Sequence, residues 1–495
     1  MMQLLNAPPA MLAFLLIMSL LVLCIDLFAH KDATHQLHSN ARVFSMSLIT
    51  LFVLLIWMIV LYPTARARFF AGHFIWDPLS ALLGLFIVVL SILAFIYARD
   101  DLKSRQIAIN NYYILGLFSI LGMLVLVSAG SMLSLYLGLE LMSLPLYAMV
   151  ALERNPTLQA EAAMKYIVMG AVASAFLLYG FSLIYSIDHS LMLTSLLRDT
   201  TEGATPLLIQ LGLILIVAAI AFKLGVAPFH FWVPDVYQAA PVGVGLFIGT
   251  APKLAVISIA LRLTLDSFPH FFETFSYLFM IIATVSVIMG NLIALTQTHI
   301  RRLLAYSSIA HMGYIMLGLS AKIIGSTIAV FYSISYGLMT ASAFGVLATL
   351  NRAGMMVESI EDLRGLHTRH PRLAFIMLLT MFSMAGIPPL IGFWIKLGIL
   401  QALLSVNQLL IAGIALLFSV IGAYYYLNVV KYLYFEKARA DAATLQVGGK
   451  AYGTVSINAI LLLGLGLFPD RLIDLCRQTI TGIPSLLVEI PRCLH

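Results

Sequence analysis

Long apolar runs constrain this chain more than any other feature. About fourteen segments of near twenty residues carry few charges, and none alternates polar with apolar positions. A run of that length spans a bilayer as an α-helix, whereas a membrane strand is about ten residues long and alternates. The sequence therefore predicts an all-α polytopic membrane protein. Its spans, numbered in order, cover residues 10–29, 43–62, 79–98, 112–129, 131–151, 162–187, 207–236, 241–264, 273–296, 302–320, 325–350, 372–405, 407–432 and 453–469.

Composition supports this prediction and excludes several functions. The chain is 61% hydrophobic and 10% charged, with mean hydropathy +1.00, too apolar for a soluble exterior. The first run lacks the basic flank and cleavage site of a signal peptide. Cys24, Cys476 and Cys493 have no metal-ligand or redox spacing, and no phosphate-binding glycine loop is present. We therefore expect no nucleotide, flavin, metal or iron–sulfur cluster in this chain. The net charge of +6 lies in loops and does not indicate nucleic-acid binding.

The positive loop charges predict an orientation. Loops that follow odd-numbered spans hold roughly twice as many Lys and Arg residues as loops that follow even-numbered spans. Because positive residues favour the cytoplasmic side, both termini should face outward.

Five charges interrupt the apolar runs. Each costs about 2.5–3.5 kcal/mol at the centre of a span, which packing alone does not justify. One alternative is a set of ion pairs that join helices, and Glu161 lies one turn from one of the lysines. The five are Lys165, Lys223, Lys253, Lys396 and Glu140.

We interpret these charges as a proton path. Burial disfavours a charged lysine, so a buried lysine can gain and lose a proton near neutral pH. Glu140 would shift that equilibrium if it moved. His230 and His311 add rings that relay protons at neutral pH, although a lone membrane histidine is often only a packing residue.

Two proline motifs predict broken helices. "GVAPFHFWV" begins at Gly225 in the seventh span, and "GIPPLIGFWIK" begins at Gly386 in the twelfth. Pro228, Pro388 and Pro389 remove backbone donors, so both helices should break near the middle of the membrane. Irregular backbone at that depth requires protein or a water-filled cavity around it.

The spacing of the motifs predicts an inverted repeat. They are five spans apart, and an odd offset turns the second unit upside down relative to the first. The alternative is two unrelated kinks. We divide the chain into residues 1–105 (three helices), 106–265 (first repeat, spans 4–8), 266–440 (second repeat, spans 9–13) and 441–495 (the last helix and the tail).

The chain resembles the antiporter-like subunits of proton-pumping NADH:quinone oxidoreductase, respiratory complex I. The resemblance covers nearly the whole chain. Its motifs are "LGLELMSLPLY", "FKLGVAPFHFWVPDVYQAAPV", "QTHIRRLLAYSSIAHMGY" and "AGIPPLIGFWIKL", in this order. The chain is too short for the L subunits of that family, and Lys396 stands where the M subunits have glutamate. It therefore resembles the N subunits most.

The resemblance implies roles for the intramembrane residues. Glu140 would pair with and gate Lys223, the central lysine, and Lys253 would connect it to Lys396 at the exit side. Lys165 matches a further lysine that the N subunits of that family carry in their sixth helix. NAD, FMN, iron–sulfur clusters and quinone would be bound by other subunits, and the neighbours would be the M, K and J subunits in a bacterial inner membrane.

Other functions remain open from the sequence. A subunit of a multisubunit cation/proton antiporter or of a related membrane-bound hydrogenase shares the family pattern. A solute transporter would need a substrate-shaped polar cluster, which the sequence lacks. A structural scaffold that inherited the fold would tolerate replacement of its lysines by methionine.

Overall fold

The computed structural model is almost entirely helical over the residues that it describes, which are 8–28, 33–105, 107, 109–153, 157–196, 206–352, 356–437 and 449–482. The predicted tail therefore lies largely outside the described residues. The helices are numbered as the spans were, and the halves of a broken helix are marked a and b. They are α1 (Pro9–Phe28), α2 (Ala33–Val60), α3 (Pro78–Ser104), α4 (Ile109–Val127), α5 (Met132–Val150), α6 (Thr157–Asp188), α7a (Pro206–Leu224), α7b (Trp232–Ala239), α8a (Val242–Gly249), α8b (Ala251–Leu261), α9 (Phe272–Ala294), α10 (Ile300–Leu319), α11 (Lys322–Arg352), α12a (Pro371–Ala385), α12b (Ile391–Ser405), α13 (Leu409–Tyr434), α14 (Gly449–Leu467) and α15 (Asp470–Thr481).

The prediction of an all-α polytopic membrane protein is confirmed. Among the described residues, eleven helices are long and apolar enough to cross a membrane. The other three predicted spans are also helical: α10 carries more polar residues, α12 is divided into two halves, and α14 is short. Two small elements were not predicted. A two-stranded antiparallel hairpin joins β1 (Ala67–Phe69) to β2 (Phe74–Trp76) before α3, and the amphipathic α15 packs against α3 and α11.

The two predicted helix breaks are present. Residues 225–231 separate α7a from α7b, and residues 386–390 separate α12a from α12b. Gly225 and Gly386 end the first halves with φ of 73° and 89°, a left-handed conformation that glycine adopts without steric cost. Each break also contains a cis peptide bond, before Pro228 and before Pro389.

A third interruption was not predicted. Thr250 separates α8a from α8b with φ of −121° and ψ of −90°, and Pro252 is the second residue of α8b. Proline is well tolerated in a first helical turn but not inside a helix, so Pro252 is compatible with this break, although the sequence analysis did not use it. The interruption lies three residues before Lys253.

Corresponding helices of the two proposed repeats pack in the same way. In the first unit α4 packs on α5, α5 on α6, α6 on both halves of α7, and α8b on α4. In the second unit α9 packs on α10, α10 on α11, α11 on both halves of α12, and α13 on α9. The units meet where α7b packs on α10 and where α8 packs on α11. The residues discussed below lie along this junction.

Candidate functional site

Lys223 is the buried cation of the first unit. It lies on the last turn of α7a, and its ammonium donates hydrogen bonds to Ser143 Oγ at 2.8 Å and to Tyr147 OH at 3.2 Å. Ser143 in turn donates to the Leu139 carbonyl, so its oxygen is free to accept from the lysine. Both acceptors lie on α5, so helix 5 supplies the oxygens that replace water around this charge.

Glu140 lies one turn before Ser143 on α5 but does not form an ion pair with Lys223. Its carboxylate accepts a hydrogen bond from the Ser174 hydroxyl on α6. Glu140 is the main charged group near Lys223, so its negative charge still acts on that lysine. The expected direct pair is therefore replaced by two separate contacts: helix 5 carries Glu140 and both partners of Lys223, and α6 carries the partner of Glu140.

The acceptors of Lys223 are side-chain hydroxyls, and the backbone carbonyls at the first helix break have other partners. The Phe222 carbonyl near the end of α7a accepts from the indole N–H of Trp232, which begins α7b. His230 lies inside the break, is only 5% exposed, and stacks on Phe231. Its Nδ1 has no hydrogen-bond partner among the described residues. Pro228 itself is exposed at the surface of the break.

The second helix break is capped by a lysine. Lys396 lies in α12b, and its ammonium donates to the Ala385 carbonyl, the last residue of α12a, at 2.8 Å. A cation at a helix C-terminus is favourable because it compensates the partial negative charge of free carbonyls. The ammonium also lies 5.8 Å from the centre of the Tyr314 ring. Pro388 and Pro389 precede α12b and have no backbone N–H. They therefore leave the Ala385 carbonyl without a helical partner, and Lys396 donates to it instead.

Lys253 occupies the junction of the two units. Its side chain is among the largest that are fully buried, and its ammonium donates to Ser308 Oγ on α10. The rings of Tyr237 on α7b and Tyr336 on α11 lie 5.8 and 5.5 Å from the same ammonium. Aromatic faces stabilise a cation that water does not reach.

His311 stands between Lys253 at the junction and Lys396 in the second unit. Its Nδ1 lies 2.7 Å from Tyr332 OH, and its Nε2 lies 3.0 Å from Tyr426 OH. Tyr332 stacks on Tyr314, which faces Lys396, and on the other side Tyr336 lies 5.2 Å from the His311 ring and also faces Lys253. A series of neighbouring titratable side chains therefore runs from Lys253 to Lys396, with hydrogen bonds on both sides of His311 and ring contacts beyond them.

Lys165 is separate from this string. Its side chain is 44% exposed and pairs with Glu161 at 2.7 Å, as the spacing of four residues predicted, and with Asp235 at 2.8 Å. Arg302 on α10 binds the other oxygen of Asp235 at 3.0 Å. This group ties α6 and α10 to α7b near the membrane surface. Lys165 is thus the member of the predicted set whose contacts match the alternative of a helix-joining ion pair.

One buried ion cluster was missed by the sequence analysis. Arg262 lies near the end of the eighth predicted span and was not singled out, yet it is 2% exposed and binds Asp77 through two hydrogen bonds of 2.9 and 3.1 Å. Arg66 pairs with Asp266 beside it. Burial alone would raise the pKa of Asp77, but Arg262 and the Ser80 N–H outweigh it and lower the pKa. Only the position of Arg262 at the end of a span could have indicated burial.

The chemistry available to the site is proton exchange between side chains. Among the described residues, no group of three or more His, Cys, Asp and Glu side chains could hold a metal ion. Lys223, Lys253 and Lys396 instead meet hydroxyl oxygens, one backbone carbonyl and aromatic faces. Broken helices that bring lysines to such partners at mid-span define a membrane protein of the ion-translocating class.

Comparison with known proteins identifies the family. Residues 129–422 match the family model described as "NADH:quinone oxidoreductase/Mrp antiporter, TM". The chain belongs to this family. It is 44% identical over 468 residues to NADH-quinone oxidoreductase subunit N of Coxiella burnetii, which covers 93% of this chain and 95% of that protein.

Solved structures agree with this assignment. A chain of respiratory complex I from Thermus thermophilus with bound aureothin superposes with a TM-score of 0.78 at 31% identity, and the match covers 94% of this chain and 98% of that one. A chain of the Mrp complex from Dietzia sp. DQ12-45-1b gives a TM-score of 0.81 at 18% identity, over 97% of this chain and 98% of that one. The second similarity shows the fold alone.

Proposed function

We propose that this chain is the proton-translocating membrane subunit N of a bacterial NADH:quinone oxidoreductase. The observation that carries the proposal is the string of buried titratable groups from Lys253 through His311 to Lys396, in a chain that matches subunit N over nearly its full length. The chain contributes proton transfer, and its partners contribute electron transfer from NADH to quinone. NAD, FMN, iron–sulfur clusters and quinone are accordingly bound by other subunits.

The buried lysines carry the proton in this proposal. Lys223 receives it in the first unit, where Ser143 and Tyr147 stabilise the ammonium. The charge of Glu140 favours the protonated lysine, so movement of helix 5 relative to α7a changes how readily the proton leaves. Lys253 passes the proton to the second unit, and Lys396 releases it.

His230 and His311 have different places in the path. His311 has a hydroxyl on each ring nitrogen and lies inside the string. His230 lies in the break of helix 7 with a buried, unpartnered Nδ1, so it is the group that can take up a proton where α7a ends. Lys165, which is exposed and paired, adjusts the charge at the membrane surface and does not carry the proton through the core.

The partners and location follow from the same proposal. Complex I is a multisubunit assembly, and the subunits that would contact this chain are M, K and J. The membrane is the bacterial inner membrane, and the loops after odd-numbered spans face the cytoplasm. The two repeats, residues 106–265 and 266–440, would each provide one half of the path between the two sides.

Replacement of Lys223 tests the proposal. Lys223→Met retains length and apolar packing but removes the titratable group, so NADH-driven proton uptake into sealed vesicles should fall by about tenfold or more while the complex assembles. Lys223→Arg should fail as well, because arginine keeps its charge at any accessible pH. Lys431→Met, at a side chain that is 61% exposed, is the matched control and should pump normally. Full coupled activity in Lys223→Met would exclude the proposal.

A cation/proton antiporter is the second candidate, because the matching family includes Mrp proteins. One assay distinguishes the two functions. Vesicles that contain the complex are supplied either with NADH or with an imposed Na⁺ gradient. A subunit N takes up protons with NADH, whereas an antiporter subunit exchanges protons for the cation without NADH.

A further inference from the structure

His311 is held by two tyrosine hydroxyls that come from different helices. Tyr332 on α11 lies 2.7 Å from Nδ1, and Tyr426 on α13 lies 3.0 Å from Nε2. His311 is 2% exposed, Tyr332 is 0% exposed and Tyr426 is 1% exposed. Both ring nitrogens therefore contact protein hydroxyls inside the core, in a setting that bulk water does not reach.

The hydroxyls are themselves connected onward, in opposite directions. Tyr426 OH is hydrogen bonded to Ser307 Oγ on α10, next to Ser308, which accepts from Lys253. Tyr332 stacks on Tyr314, and the Tyr314 ring faces the Lys396 ammonium. One hydroxyl thus lies on the Lys253 side of the imidazole, and the other lies on the Lys396 side.

Hydrogen-bond chemistry fixes how this group can behave. A neutral imidazole has one N–H donor and one bare nitrogen acceptor, whereas each tyrosine hydroxyl both donates and accepts. If Nδ1–H donates to Tyr332, then Tyr426 donates to Nε2, and in the other tautomer both directions reverse. The two tautomers differ by the transfer of one proton across the ring.

We propose that Tyr426 and Tyr332 are the proton donor and proton acceptor of His311, so that the three side chains form a relay between Lys253 and Lys396. This inference rests on the proposed function and adds two residues to its path. Tyr426 transfers its hydroxyl proton to Nε2 and takes the hydroxyl proton of Ser307, which a water molecule on the Lys253 side replaces. Nδ1 transfers its proton to the Tyr332 oxygen, and the original Tyr332 proton passes to a water molecule on the Lys396 side. One proton crosses, and no side chain remains ionised.

Packing alone does not require these hydroxyls. Phenylalanine would fill the same volume at either position without a polar atom that needs a partner in the core. A single hydroxyl would suffice to fix the tautomer and orientation of the ring. Hydroxyls on both nitrogens are what proton transfer through the ring requires.

Removal of each hydroxyl tests the relay in the assembled complex. In Tyr426→Phe and in Tyr332→Phe the rings remain, and the rate of NADH-driven proton uptake into sealed vesicles should fall by about tenfold or more. Tyr112→Phe is the matched control. Tyr112 lies on α4 and is as buried as Tyr426, but its hydroxyl donates to the Gly243 carbonyl, away from His311. Its removal should leave proton uptake at the wild-type rate.

A modified tyrosine separates a relay from a purely structural contact. The charged or titratable groups facing His311 are Lys253, Lys396, Tyr332, Tyr336 and Tyr426. Incorporation of 3,5-difluorotyrosine at position 426 keeps ring and hydroxyl but makes the hydroxyl more acidic. In a relay, the pumping rate at a fixed pH changes, because the rate of proton transfer depends on the acidity of the donor. An unchanged rate contradicts the relay, and this variant distinguishes a relay from a structural contact if a phenylalanine variant does not assemble.

Comparison with Lys223→Met distinguishes failure of the relay from failure of the proposed function. Wild-type pumping in both tyrosine variants, with pumping lost in Lys223→Met, would overturn the relay alone. Wild-type pumping in all three would overturn the proposed function as well. Loss in all three, with Tyr112→Phe unaffected, supports both.

Discussion

At the scale of single residues, the two lysines near helix breaks are held in different ways. Lys223 is bound by side-chain hydroxyls of a neighbouring helix, whereas Lys396 is bound by a backbone carbonyl of its own helix. A buried charge is costly unless it keeps such partners. Movement of helix 5 therefore acts on Lys223, and a change in the break of helix 12 acts on Lys396.

Glu140→Gln should impair proton uptake less than Lys223→Met. Glutamine still accepts from Ser174 on α6 and removes only the charge that acts on Lys223 from a distance. The lysine that carries the proton is intact, so we expect a loss smaller than about tenfold. Glu273→Gln is the control, since that side chain is 69% exposed. A greater loss in Glu140→Gln than in Lys223→Met would mean that the carboxylate itself carries the proton.

The sequence identified charged residues of the site but not their partners. A lysine in an apolar run is conspicuous, because leucine would be favoured there. Tyr332, Tyr426 and Ser308 are not conspicuous, since tyrosine and serine are ordinary residues of membrane helices. Their roles depend on contacts between α10, α11 and α13, which no local pattern encodes.

At the scale of elements, a glycine followed by a proline stands at all three breaks, although the sequence analysis used only two of them. Gly225 and Gly386 provide the left-handed turn, and prolines after each prevent the helix from resuming. At the third break Gly249 precedes Pro252 by three residues, but there is no glycine with positive φ, and the Thr250 hydroxyl bonds the Leu246 carbonyl. The break beside Lys253 therefore lacks a left-handed turn and depends on Pro252, which begins a new helix.

Gly386→Ala should destabilise the chain and disturb Lys396. The left-handed φ of 89° costs a residue with a Cβ about 1–2 kcal/mol, and that Cβ would lie 2.9 Å from Lys396 Cδ. We expect a lower melting temperature and slower proton uptake. Gly413→Ala is the matched control, because an added Cβ there has no neighbour within 4 Å and alanine favours the helix. Equal behaviour of the two variants would show that the glycine conformation is not required.

At the scale of the whole molecule, loops that follow odd-numbered spans lie next to one another, and so do loops that follow even-numbered spans. Asp101, which ends the third span, binds Asn351 at the end of α11, and Arg105 pairs with Glu153 after α5. On the opposite side, Arg66 after α2 binds Asp266 after α8b. This arrangement agrees with the prediction that successive spans cross the membrane in opposite directions. The excess of positive loop charges then predicts which side is cytoplasmic.

Reporter fusions test that orientation. A reporter fused after Arg372, at the start of α12a, should report the cytoplasm, and one fused after His270, in the turn before α9, should report the outside. The physical reason is the excess of Lys and Arg in the loops on the side of Arg372. Each fusion serves as the control for the other, and the reverse result would invert the proposed direction of the path.

The exposed faces of the outer helices bear on assembly. The apolar stretch of α8 is entirely buried within the chain, whereas only 28% of the residues in the apolar stretches of α1 and α13 are buried. Lipid or partner subunits must cover these long apolar faces. Deletion of the chain should therefore remove the distal membrane arm of a larger complex, detected as a smaller complex on native gels with proton uptake lost. A strain that carries Lys223→Met is the control, since it should keep the full-size complex and lose only pumping. If quinone reduction and pumping both survive the deletion, the chain is not a subunit of that complex.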